Sequence, residues 1–183
     1  MRKHGVQGGF TLIEMVASIV ILAIALVGVA NMVSLGTGNS ANTLLQTRAM
    51  ALGESYLDEI MGRRFDERSA ASGFDPCYGL DPMDPERCSA VLGPDPGESS
   101  RDRYDDVDDY NGFEEGDGAT LLEDVEGNER EGYENFHVAV AVRYAGDDEV
   151  LGLDETDAKL ITVTITTRDQ EEGWEFSVYR ANY

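Results

Sequence analysis

The longest unbroken feature of the sequence is apolar. From Met15 to Ala30 every residue is apolar or glycine except Ser18, and Val33 to Leu35 nearly extends the run. About 20 apolar residues, rising about 1.5 Å each in a helix, cross a hydrocarbon layer of ~30 Å. Gly36-Thr37-Gly38-Asn39-Ser40 follows, where two glycines and short polar side chains favour a bend or local loosening. Leu45, Ala49, Leu52, Tyr56 and Ile60 then recur at spacings of three and four, one face of a helix, with Gln46, Arg48, Glu54, Asp58 and Glu59 opposite. The pattern predicts one long helix from about Thr11 to Met61. Residues 10–35 form its lipid-facing half, and residues 36–61 its amphipathic half.

The period changes near the C-terminus. Phe136, Val138, Val140, Val142 and Tyr144 alternate with more polar residues, as do Ile161, Val163 and Ile165, and again Trp174, Phe176 and Val178. Such alternation predicts three half-buried antiparallel strands over residues 136–183, the last two joined by a turn at Asp169–Gly173. Their apolar face suits the Leu45–Ile60 stripe, so the fold class expected is α+β, a long N-terminal helix packed on a small antiparallel sheet. Residues 62–135 hold all five prolines with many Gly, Asp and Ser, and read as irregular.

Charge sharpens this picture. The formal net charge is −22, and residues 66–135 carry 22 Asp/Glu against 5 Lys/Arg, a balance of −17. Such a segment repels itself and is expected to resist compact packing. It also argues against nucleic acid or an anionic membrane surface as partner. Cys77 and Cys88, with only His4 and His137 beside them, make a poor zinc set and a simple disulfide, which requires an oxidising compartment. Closing that loop contributes about 3 kcal/mol in the chain-entropy description. No nucleophile elbow, phosphate loop or zinc-helix motif is present, so no enzyme is expected.

The N-terminus carries the most specific signal. Arg2-Lys3-His4 precedes Gly8-Gly9 and then Phe10-Thr11-Leu12-Ile13-Glu14. A basic start before the apolar run predicts a cytoplasmic N-terminus and an exported remainder. The processing-like pair Gly8-Gly9 lies ahead of the run, so cutting there removes residues 1–9 and keeps the helix, unlike an ordinary secretory signal. Glu14 places a carboxylate near the start of a lipid-facing helix, where an ionisable group is expensive and needs a use.

Gly9-Phe10-Thr11-Leu12-Ile13-Glu14 resembles the prepilin motif of type IV pilins and type II secretion pseudopilins. The resemblance implies cleavage after Gly9 by a prepilin peptidase and methylation of Phe10. It implies that Glu14 neutralises the terminal amine of a neighbouring subunit during assembly. The implied partners are other pilins, through this helix, and the inner-membrane assembly machinery. The chain would be a single-pass inner-membrane protein before assembly and extracellular afterwards. A minor pilin is the reading adopted, with two rivals: a type II secretion pseudopilin, and a membrane-anchored binding module that does not polymerise.

One cluster in the acidic segment has metal-ligand character. Asp105-Asp106-Val107-Asp108-Asp109-Tyr110-Asn111-Gly112 offers hard oxygens ending on a turn-prone Asn-Gly, and Asp106, Asp108 and Asn111 are the candidate Ca²⁺ ligands. No other cofactor is expected. The competing reading is a tight acidic turn whose carboxylates cap backbone amides and stay solvated. The string Tyr104–Tyr110 also resembles a segment of minor pilins of the MshD type, from mannose-sensitive haemagglutinin pilus systems.

Overall fold

The computed structural model describes residues 11–69, 76–116, 121–124, 126–168 and 170–183, with backbone alone for 33–41 and 170–172. Gly9 and Phe10 lie outside the described residues. One α-helix, α1, runs Leu12–Met61. Thr11 caps it: the Glu14 amide donates to the Thr11 carbonyl (3.1 Å) and hydroxyl (3.4 Å), serving amides that a helix start leaves open. The backbone remains helical through Gly36–Ser40, since no proline interrupts it.

By its contacts the chain divides into two units, one ending at Leu45 and one spanning Gln46–Tyr183. In the first, Leu12–Met32 is a 21-residue stretch of mean hydropathy 2.7, none of it buried, long and apolar enough to cross a membrane. Exposed Leu, Ile, Val and Met side chains cover it all round, which is the composition of a lipid-facing helix rather than of a core helix.

In the second unit, Ala49, Leu52, Tyr56 and Ile60 are fully buried, the stripe that the spacing marks out. They share a core with Val138, Val140, Ile161, Val163 and Ile165 of the sheet. Gly53, on the same turn of helix as Leu52, lies directly against the Phe176 ring: a Cβ there would come within 2.5 Å of it. The architecture is α+β, a long helix and an antiparallel sheet.

The sheet has four strands in the order β1-β2-β3-β4: Glu114–Glu115, Phe136–Tyr144, Ala158–Thr167 and Gln170–Ala181. All neighbours are antiparallel, with Val140 opposite Val163 and Val163 opposite Phe176. Strand β1 departs from the three-strand expectation. A Glu-Glu pair has no strand preference of its own. It pairs because the preceding residues are clipped to the edge of β2: the Gly112 amide donates to the Val140 carbonyl (3.0 Å), and the Val140 amide to the Phe113 carbonyl (2.9 Å).

The last hairpin is also tighter than expected. Residues assigned to an Asp169–Gly173 turn belong largely to β4, which starts at Gln170; Asp169 itself lies outside the described residues. Thr167 faces Gln170 while Ile165 faces Trp174, so β4 takes up two extra residues as a bulge. Gly173 sits in it, where a Cβ would meet Thr166 and Ile165 at under 3 Å.

The acidic segment does not stay apart from the core. Tyr104, Val107 and Tyr110 are buried, and the rings of Tyr104, Tyr110 and Phe113 meet edge to face with centroids 5.1–6.2 Å apart. Cys77 and Cys88 form a disulfide, buried beside Phe65.

Candidate functional site

Two places carry chemistry. The first is the start of α1. Glu14 stands in its first turn, exposed, two residues into the apolar stretch. A carboxylate there complements the positive end of the helix dipole, but in lipid it still needs a counter-charge from outside its own helix. Ser18 donates its hydroxyl to the Glu14 carbonyl (2.8 Å), which satisfies that hydroxyl within the helix.

The second is the Asp105–Asn111 turn. Its carboxylates do cap amides: Asp106 Oδ1 accepts from the Asp108 and Asp109 amides (2.9 and 3.3 Å), and Asp109 Oδ2 from those of Asp105 and Asp106 (2.9 and 3.1 Å). The expectation of a solvated turn is overturned, because Asp106, Asp108 and Asp109 are all buried. What permits this is Lys159 on β3, with no exposed surface at all. Its Nζ donates to Asp108 Oδ1 (2.6 Å), Asp66 Oδ2 (3.1 Å) and the Phe65 carbonyl (2.6 Å), which uses all three ammonium hydrogens. The Phe65 and Tyr144 rings flank it at 4.5 and 5.3 Å.

Of the proposed calcium ligands, the structure holds Asp106 and Asp108 in one turn and aims Asn111 elsewhere. Asn111 Oδ1 accepts from the Val142 amide (3.0 Å) and its Nδ2 donates to the Leu92 carbonyl (3.1 Å), fastening the loop to the edge of β2. One oxygen each of Asp106, Asp108 and Asn111 is thus engaged by amides or an ammonium of the protein itself.

The surroundings separate these acids. Burial pushes Asp66 up, but the Lys159 charge and the amides of Ser89 and Arg68 outweigh it and hold the carboxyl below its usual range. Burial lifts Asp108 above the usual carboxylate range despite Lys159. Burial, followed by the negative charges of Asp108 and Asp109, pushes Asp106 up to about 9. Tyr144, whose hydroxyl donates to Asp66 (3.1 Å) and the Ser89 carbonyl (2.8 Å), is raised first by burial and then by Asp66.

A further cluster ties the acidic segment to α1. Arg101 forks onto both oxygens of Glu59, reaches Glu115 (3.1 Å), and stacks 4.5 Å from the Tyr56 ring centre. Tyr56 donates to Glu115 in a short hydrogen bond, and Tyr110 to Glu59 (2.8 Å). Burial opposes ionisation of Glu59, yet the Arg101 bonds prevail and its carboxyl is held low.

Sequence reasoning missed Lys159 and Arg101. A signal for the first existed: Lys159 keeps phase with Ile161, Val163 and Ile165, and is the one lysine beyond Lys3. For Arg101, in an irregular stretch, no periodic signal exists.

Residues 5–30 match the family model of the prokaryotic N-terminal methylation motif, a type IV prepilin-like leader. No curated protein and no solved structure is significantly similar to the chain. The motif, with the apolar helix behind it and the α+β layout, supports a type IV pilin- or pseudopilin-like protein. A motif of this type implies processing by a prepilin peptidase.

Proposed function

We propose that the chain is a minor pilin, a low-copy structural subunit that primes, caps or adapts the tip of a type IV pilus. Cleavage after Gly9 exposes Phe10, which is N-methylated, and the helix behind it is drawn from the inner membrane into the filament. Glu14 meets the terminal amine of a neighbouring subunit and sets the register. The partners are other pilins along this helix, the prepilin peptidase and the inner-membrane assembly machinery. The observation that carries the reading is the matched motif ahead of Leu12–Met32, an apolar stretch with no buried residue that keeps a carboxylate at Glu14. A low copy number follows from charge: chains of formal net charge −22 repel one another when stacked in a homopolymer. The Tyr104–Tyr110 string supports placing it with minor pilins of mannose-sensitive haemagglutinin systems.

The test is to shear surface filaments from the native cells and sequence the N-terminus of this subunit in them. Recovery in filaments, starting at a methylated Phe10, supports the proposal. Recovery only in the membrane, with secretion of a substrate protein lost on deletion, points to the pseudopilin instead. A chain that keeps its leader and never leaves the membrane rejects both.

A further inference from the structure

Lys159, Asp108 and Asp66 are arranged for more than an ion pair. We propose that the side chains of Lys159 and Asp108 condense in the folded head to an amide, an isopeptide cross-link joining β3 to the Asp108–Tyr110 turn, with Asp66 as the proton carrier.

Three features of the geometry point there. Lys159 Nζ lies 2.6 Å from Asp108 Oδ1, so nitrogen and carboxyl carbon are held in near-attack range by the folded chain. The site is dry: Lys159 and Asp66 have no exposed side-chain surface, and the Phe65 and Tyr144 rings flank the nitrogen. Two carboxyls of opposite character face one nitrogen. Asp66 is fixed as a carboxylate by the Ser89 amide (3.0 Å), the Ser89 hydroxyl (2.9 Å), the Arg68 amide (3.1 Å) and the Tyr144 hydroxyl (3.1 Å). Asp108 is held by Lys159 and by Asp106 beside it, but burial outweighs both and favours its neutral acid, the electrophilic form. Environments that push paired carboxyls apart assign the base and the acid.

The step balances without a co-reactant. One proton crosses the short contact from the ammonium to the Asp108 carboxylate, leaving an amine and a carboxylic acid. The Nζ lone pair attacks Cγ of Asp108, and the Nζ–Cγ bond forms as a second proton leaves nitrogen for Asp66. Asp66 returns that proton to the departing hydroxyl, the Cγ–OH bond breaks, and water is lost. An ammonium and a carboxylate become one neutral amide and one water; nothing is oxidised or reduced. The product also removes two buried charges, whose desolvation is costly in an interior of this kind. The cross-link would close a loop between residues 108 and 159, tying the acidic segment covalently to the sheet.

The experiment uses the full native chain, extracted from membranes in detergent, and reads intact mass and a tryptic map. The expected mass is one water below that of the processed chain with its disulfide. Trypsin should fail to cut after Lys159, and the peptide of residues 144–168 should appear joined to that of residues 104–130. A chain of full mass, cut normally after Lys159, overturns the proposal and leaves a buried ion pair. So does a lost water confined to one peptide, as in an aspartyl imide. Asp66→Asn, which keeps hydrogen-bonding capacity at that position, should restore full mass and trypsin cleavage; a cross-link formed as before would overturn the part given to Asp66.

Discussion

The guanidinium of Arg101 grips both carboxylate oxygens of Glu59, and through this contact the acidic segment is fastened to the last turns of α1. Both side chains are largely buried, and Glu115 leans on the same cation. Arg101→Ala strands two acids in the interior. Removing one partner of a buried pair costs about 3 kcal/mol or more. Urea unfolding of the detergent-solubilised chain, followed by tyrosine fluorescence, should show that loss. Arg101→Lys should recover only part of it, because an ammonium cannot fork onto Glu59 or lie flat on Tyr56.

Gly53 and Phe176 are coupled by contact. Alanine at 53 improves helix propensity by about 1 kcal/mol. Its methyl group, however, lands within 2.5 Å of the ring. Overpacking typically costs about 1–3 kcal/mol, so Gly53→Ala should be net destabilising. In a Phe176→Ala background the same change should become neutral or favourable. A double-mutant cycle measures the coupling, and additive effects would show that the ring swings aside freely.

Asp106 predicts an unusual pH profile. Its folded-state value of about 9 lies above the ordinary carboxylate range. A group raised in this way contributes stability that is complete below the unfolded value of about 4 and is lost as pH rises towards 9. Asp66 and Glu59, held low, act the other way: their contribution is present above pH 4–5 and disappears in acid. The head should therefore be most stable in mildly acidic solution. Asp106→Asn keeps the oxygen that accepts from the Asp108 and Asp109 amides. It should flatten the decline between pH 6 and 9 by about 1 kcal/mol or more. Thermal midpoints across that range decide it.

For assembly, Glu14→Val should leave membrane insertion intact or improve it, since an acidic residue in a membrane helix costs about 2.5–3.5 kcal/mol on insertion scales. Incorporation into filaments should fall below detection. Quantifying the subunit in sheared pili against membranes gives the answer, and normal incorporation would remove Glu14 from its assigned role.

Calcium should have no specific effect through Asp106, Asp108 and Asn111, because Lys159 and backbone amides already hold one oxygen of each and Asn111 is aimed away from the other two. Thermal midpoints in millimolar Ca²⁺ and in Na⁺ of matched ionic strength should coincide. A calcium-specific rise that Asp108→Asn abolishes would restore the metal reading.

The elements with a clean period were legible from residues alone. Strand β2 spans the alternation from Phe136 to Tyr144, and Ala49, Leu52, Tyr56 and Ile60 are the buried side of the helix. The acidic segment was misread because charge masked a weaker pattern. Tyr104, Val107 and Tyr110 recur every three residues, the spacing of a tight turn with one apolar side, and all three are buried. Strand β1 was not legible at all, since two glutamates are ordered there by Asn111–Phe113 docking on another element. Lys159 was legible by phase but disguised by its charge; only the acids that come to it from residues 66 and 108 make its position tolerable.

Strand β4 ends the sheet on one side, and among the described residues nothing pairs with its outer edge. Trp174, Phe176 and Val178, all half-buried, lie along it, a combination that invites a stray strand to add on. For a subunit of the proposed kind, such a hazard is greatest between export and incorporation, when free heads meet one another. Every encounter then brings together two bodies carrying a large surplus of the same sign, which slows the approach at low salt and less so at high salt. The acidity of this chain thus acts as colloidal protection for an open sheet edge, and its effectiveness should set how long an unassembled subunit survives.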